Sequence, residues 1–182
     1  MPSRRLPRYC AGFALCFALL FASAIHAQIK TDTVYVTLTG DNSFGTGTKD
    51  KPWRSITSAM QRITADSLNR KVIKLGAGTF SVATTGEVFP IPFKSFVSVQ
   101  GSGKLQTKID AAKAARIFTA SNIRHNKILD LALENGRAKG PNPAARQGAA
   151  MRVKKFFQLE IRNCDLRGNQ ADSSGGALYI SS

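Results

Sequence analysis

Cysteine is too scarce in this chain to hold a fold together. Three are present, and Cys10 and Cys16 lie close to the N-terminus, which leaves Cys164 with no partner further on. A disulfide framework is excluded, so stability must come from burial and backbone hydrogen bonds. Histidine is rarer still: beyond residue 27 there is only His125. It stands in N-I-R-H-N-K without the carboxylate or cysteine spacing of a metal ligand or base, and is expected as a surface side chain in a polar turn. Acidic residues are few, 11 against 26 basic ones.

Long apolar runs are lacking too, with one exception. Ala11 to Ala22 is uncharged and apolar, follows Arg4, Arg5 and Arg8, and precedes small residues up to Ala24 and Ala27. A membrane span needs about 20 apolar residues, and this run is shorter. It reads as a secretory signal, residues 1–27, with cleavage expected after Ala27. No transmembrane span is expected after its removal, and the product is expected outside the cell or on its surface. Removing those 27 residues from the 182 leaves 155, enough for one domain with a core. Three basic residues leave with the signal while all acidic ones stay, so the net charge is +12. Such a surface favours polyanions. Aromatic residues do not interleave the basic ones, so nucleic acid is not expected as a partner.

What is plentiful is short β-type runs. Thr33–Thr39 alternates and is rich in β-branched residues, which predicts a strand. Gly40–Asp50 is a turn-rich loop. Pro52 then sits where a first helical turn tolerates proline. Ile56, Ala59, Met60 and Ile63 recur at helical spacing, so one amphipathic helix is expected from Trp53 to about Ala65. After Lys71, apolar runs at Val72, Phe96, Arg116, Ile128, Ala149, Phe157 and Ala177 alternate with turn residues, and no second helical pattern interrupts them.

The runs repeat. Ile128, Leu131 and Leu133 lie over Ile161, Cys164 and Leu166 at a 33-residue offset, and Gly148, Met151 and Val153 lie over Gly175, Leu178 and Ile180 at 27. A strand-and-turn repeat of this length predicts stacked coils that bury nothing singly. The register makes Cys164 an inward, inert thiol. It sets Glu134 against Arg167, Lys127 against Glu160 and Asp130 against Asn163.

Tyr35–Met60 (Y-V-T-L-T-G-D-N-S-F-G-T-G-T-K-D-K-P-W-R-S-I-T-S-A-M) resembles the opening of bacterial surface proteins of the pectin-lyase-like type. Ile73–Phe80 and Gly86–Ile91 resemble an uncharacterised N-terminal domain family found at the start of such proteins. Gly168–Tyr179 (G-N-Q-A-D-S-S-G-G-A-L-Y) is similar to the coils of large repeat-bearing surface proteins. The resemblance implies an all-β fold: a right-handed parallel β-helix over 71–182, preceded by a strand, loop and capping α-helix over 28–70. In such a fold Ser182 would end an open last coil, through which copies could associate, or the chain would continue.

Chemistry is mostly absent. Calcium wants six to eight oxygens, and Asp130 beside Asn163 is one carboxylate beside one amide. No cofactor is expected, and calcium enters only if a polysaccharide lyase site lies beyond Ser182. No carboxylate pair suits glycoside hydrolysis, and the paired aspartates and G-H-G of β-helix polygalacturonases are missing. Gly101–Lys104 (G-S-G-K) fails as a phosphate loop, with Ser98 for its first glycine and Leu105 for its Ser/Thr. The candidate ligand residues are therefore a basic face, Arg116, Arg124, Arg152, Lys154 and Arg162. The expected partner is an acidic polysaccharide or cell-envelope glycan. The other expectations are a structural adhesin-like stalk, and the opening of a pectate- or alginate-type lyase.

Overall fold

The computed structural model describes residues 28–181, and the expected signal segment lies outside the described residues. The chain opens with β1 (Lys30–Val36), a long loop and the helix α1 (Ile56–Arg62). Next come β2 (Asn69–Leu75), β3 (Gly78–Phe80), one helical turn α2 (Val82–Thr85) and β4 (Ile91–Pro92). β5 (Val97–Gln100) and β6 (Thr107–Asp110) follow. Then come β7 (Phe118–Leu129), β8 (Ala132–Glu134), β9 (Arg137–Ala138) and a 3-10 turn at Pro143–Arg146. The last elements are β10 (Met151–Arg162), β11 (Asp165–Arg167), β12 (Gln170–Ala171) and β13 (Leu178–Ser181).

The described strands pair in parallel. One sheet runs β1-β2-β5-β7-β10-β13, with β4 also beside β7; a second runs β11-β8-β6-β3; a third pairs β12 with β9. The molecule is thus all-β, built of parallel sheets with few helical residues. The chain visits the sheets in a fixed order, β7 to β8 to β9 and then β10 to β11 to β12. Successive circuits lie one strand spacing apart.

Side chains alternate across a strand, so a parallel register stacks like on like. Val34, Ile73, Val99, Ile128 and Ile161 form one such column. Phe80, Ile109, Leu133 and Leu166 form a second, and Ile91, Phe118, Met151 and Leu178 a third. Of these, Ile73, Val99, Ile128, Phe80, Ile109, Leu133, Ile91, Phe118 and Met151 are essentially inaccessible to solvent. The 33- and 27-residue offsets read from the sequence are the registers of β7–β10 and β10–β13.

β7 and β10 are long because they bend without losing their ladder. Asn122 and His125 in β7, and Lys155 and Gln158 in β10, adopt positive φ, and the stretches between them stay paired. Asp130, Asn135 and Asn163 hold further corners in the same way. Asparagine and aspartate tolerate this region because their short polar side chains bond locally. Asn163 Nδ2, for example, donates to Asp130 Oδ1 across the circuits at 2.8 Å.

The first strand begins earlier than expected and ends at Val36, where Thr37–Asp41 turns. The helix is shorter than the expected Trp53–Ala65. Trp53 is held in a parallel bridge with Val36, and its indole N–H donates to Gly45 O at 2.8 Å. Gly47, at φ +77, lies against that indole, and a Cβ there would stand 2.9 Å from the ring. Ser55 is therefore extended and becomes the N-cap, accepting from Ser58 N. Ile63 turns extended again, and Lys94 Nζ donates to the carbonyls of Gln61 and Ile63. The buried face of α1, Ile56, Ala59 and Met60, joins the same core as Val36 and Ile73.

Glu87 ties that helix to the sheets. It is 2 % exposed. Its carboxylate accepts from Ile56 N at 2.8 Å, Thr57 N at 2.9 Å, Thr57 Oγ1 at 2.7 Å and Thr85 Oγ1 at 3.1 Å. Burial pushes its carboxyl above the usual glutamate value, outweighing the donated hydrogen bonds that pull it down.

Two substitutions test this frame. Ile128→Ala leaves a cavity between Val99 and Ile161 and should cost about 2–5 kcal/mol in chemical denaturation. Glu87→Gln loses acceptors for helix N–H groups and should cost about 1–3 kcal/mol. The folded state holds the Glu87 proton to higher pH than the unfolded chain does. That stability is full below the ordinary glutamate value and is lost as pH rises through the folded value. The gap between wild type and Glu87→Gln should therefore narrow as pH rises through that window.

Candidate functional site

The five basic residues singled out in the sequence do not form one face. Arg116 is committed to the backbone. Its Nε donates to the carbonyls of Gln147 and Gly148, and its Nη2 to those of Ala144, Ala145 and Gln147. Burial and the neighbouring Arg152 charge both lower its pKa. Arg152 lies in β10 opposite Thr119 and Tyr179, with its guanidinium 5.7 Å from the Tyr179 ring centroid. Lys154 follows two residues on, exposed. Arg124 stands beyond the first bend with Lys155, Phe156 and Phe157. Arg162 lies past both bends and donates to Glu160 Oε1 at 2.9 Å.

Glu134 and Arg167 are register partners as expected, but the pair does not close. Arg167 turns to Asp165, two residues back on its own strand, and Glu134 faces Lys108 at 3.9 Å. Cys164 is half-buried rather than fully enclosed. It donates to the carbonyls of Ile128 and Arg162, and burial pushes its thiol pKa up. An elevated pKa means little thiolate and low reactivity.

His125 is the largest departure. It is not a free surface side chain but part of an aromatic stack at the second bend. Its ring lies 5.7 Å from Phe96, nearly parallel, and 5.2 Å from Phe157, edge to face. Phe96, His125 and Gln158 all have positive φ, which costs roughly 1–2 kcal/mol for a residue without a short bonding side chain.

Beside this stack runs a groove of about 420 Å³ lined by Arg70, His125, Lys127, Gln158, Leu159 and Glu160. It continues towards Thr31 and Ser98 through a further hollow of about 150 Å³ that Arg70, His125 and Lys127 also line. Lys127 and Glu160, register partners, pair at 2.7 Å. With Lys127 and then Arg162 against it, Glu160 is held below the ordinary glutamate range. Arg70 makes no ion pair among the described residues, and its Nε is buried without an acceptor. Sequence reasoning missed Arg70, Lys127 and Phe157 as a set because they come from three different circuits. The one available signal was the 33-residue offset of Lys127 and Glu160.

Among the described residues no three His, Cys, Asp or Glu side chains gather as a metal site. The Gly101–Lys104 segment is a turn between β5 and β6 in which Ser102 Oγ donates to Leu75 O at 3.0 Å.

These features define an all-β protein of parallel sheets with a basic and aromatic outer groove. The family model for proteins of unknown function DUF1565, an uncharacterised and β-helix-like group, matches residues 38–128. The chain belongs to that family. The matched span carries the Trp53 loop, α1, Glu87, Arg70, His125 and Lys127. No curated protein and no solved structure matches the chain.

The carbonyl cluster around Arg116 gives a test of its role. Arg116→Ala should free the Pro141–Gly148 segment, read as faster amide exchange at Ala145 and Gly148, while β7 and β10 keep their protection.

Proposed function

We propose that this chain is an exported, right-handed parallel β-helix segment that binds acidic polysaccharide on its outer surface without catalysis by the described residues. The observation that carries the reading is where uncompensated charge lies. Among the described residues, Asp32, Glu160 and Asp165 are each engaged by two cations, whereas Arg70, Arg124, Arg152, Lys154 and Lys155 are among the many cations that make no ion pair. Of those named, all but Arg70 sit on β7 and β10.

Several features support it. The repeated visit to three parallel sheets is the order expected of a β-helix. Parallel crossovers are right-handed in about 98 % of cases. The N-terminal 27 residues read as an export signal, and export places a basic surface among envelope glycans. A polyanion would be drawn to unpaired cations by long-range attraction that salt screens, with a Debye length of about 8 Å at physiological ionic strength. Exposed Phe156 and Phe157 beside Arg124 and Lys155 add apolar contact that a purely ionic surface lacks.

The test is titration of purified protein with polygalacturonate at low and high salt, with dextran as neutral control. Saturable binding that weakens as salt rises, with none to dextran, is expected. No binding at low ionic strength, or equal binding to dextran, would sink the reading.

A further inference from the structure

Two hollows share one wall at the second bend. The groove with Arg70, Lys127 and Glu160 lies on one side of the His125–Phe157 contact. A hollow of about 190 Å³ with Arg124, Lys155 and Phe156 lies on the other. The wall is fixed from below, since His125 stacks on Phe96. Phe157 nonetheless remains 55 % exposed. The chain places Phe, His and Gln at corner positions that Asn and Asp occupy elsewhere. It thereby holds large side chains outward in a backbone conformation that smaller polar residues adopt more readily.

Resting on the glycan reading above, we propose that this groove is the binding site. Its ligand is an oligosaccharide carrying an anionic group, carboxylate or sulfate, on successive sugars. The ligand lies across the strands from β2 to β10, one sugar ring against Phe157 and its anions directed to Arg70 on one side and Arg124 and Lys155 on the other, while Lys127 stays with Glu160.

Three observations lead there. Arg70 carries a buried Nε–H with no acceptor and no ion-pair partner among the described residues, a donor that an anionic oxygen satisfies. Phe157 offers an exposed apolar face, set edge to face against His125, which itself stacks on Phe96, and suited to the C–H face of a sugar. The lining residues span β2, β5, β7 and β10, three strand spacings of about 4.8 Å, or ~14 Å, too long for a single sugar to bridge. Glu160 does not repel such a ligand strongly, because Lys127 at 2.7 Å and Arg162 at 2.9 Å already engage its charge. With Gln158 it offers acceptors for sugar hydroxyls.

The experiment is calorimetric titration of the full chain with galacturonate, trigalacturonate and a heparin-derived tetrasaccharide. Wild type is compared with Arg70→Ala, Phe157→Ala and Lys139→Ala, each checked for fold by circular dichroism. Trigalacturonate should bind, and galacturonate should bind at least about tenfold more weakly. Arg70→Ala and Phe157→Ala should each weaken trigalacturonate about tenfold, while Lys139→Ala, an exposed charge outside the groove, stays within about twofold. The Phe157 variant keeps every charge, so its loss marks a site rather than general attraction. The same losses with the sulfated tetrasaccharide alone would support the groove and assign sulfate as the anion. If wild type binds trigalacturonate or the tetrasaccharide and both groove variants bind it as wild type does, the groove is overturned while the glycan reading stands. If wild type binds none of these, both fall.

Discussion

Everything in this molecule depends on the parallel register that lays one circuit's inward side chains on the next. A single circuit has no core of its own. Val99 is buried only because Ile73 lies on one side and Ile128 on the other, and the same holds along the Phe80–Ile109–Leu133–Leu166 column. Parallel pairing also forbids slippage. A shift of one residue would turn each of these apolar columns to the solvent and bring charged residues inward. The register therefore carries much of the specificity of the fold, with no disulfide among the described residues.

The same constraint positions the polar exterior. Outward residues fall into register as surely as inward ones, which is why Lys127 meets Glu160 and Asp130 meets Asn163. At the bends, alternation stops, and what fills a corner follows from backbone geometry. Where the corner serves only to turn, Asn or Asp suffices. At the second bend, the aromatic stack of Phe96, His125 and Phe157 takes its place and makes the adjoining groove firm. Glu87 plays the matching part at the start of the chain, binding the first N–H groups of α1 to the segment that leads into β4.

Charge on this surface divides into two kinds. Arg116 and Arg162 are occupied, one by backbone carbonyls and one by Glu160. Arg70, Arg124, Lys154 and Lys155 have no carboxylate partner among the described residues. Only the second kind is free to meet an external anion without first breaking an internal contact. Composition cannot make that distinction, since every basic residue counts equally towards the net charge.

Much of the architecture was legible in the chain itself. The offsets of 33 and 27 residues, the turn-rich loop before Trp53, the helical spacing of Ile56, Ala59, Met60 and Ile63, and the inward side of Cys164 can all be read from residue types and spacing. They are local or strictly periodic, and periodicity is what a sequence displays directly. The true ends of α1 were not legible, because Trp53 is taken by a strand and an indole hydrogen bond made elsewhere. Nor was the setting of His125, whose ring partners come from the preceding and the following circuit. The groove belongs wholly to the tertiary structure. Arg70, His125, Lys127 and Glu160 meet only after four strands have stacked and two of them have bent. The sequence by itself determined which residues repeat and which face inward; stacking and bending decided which outward residues share a site.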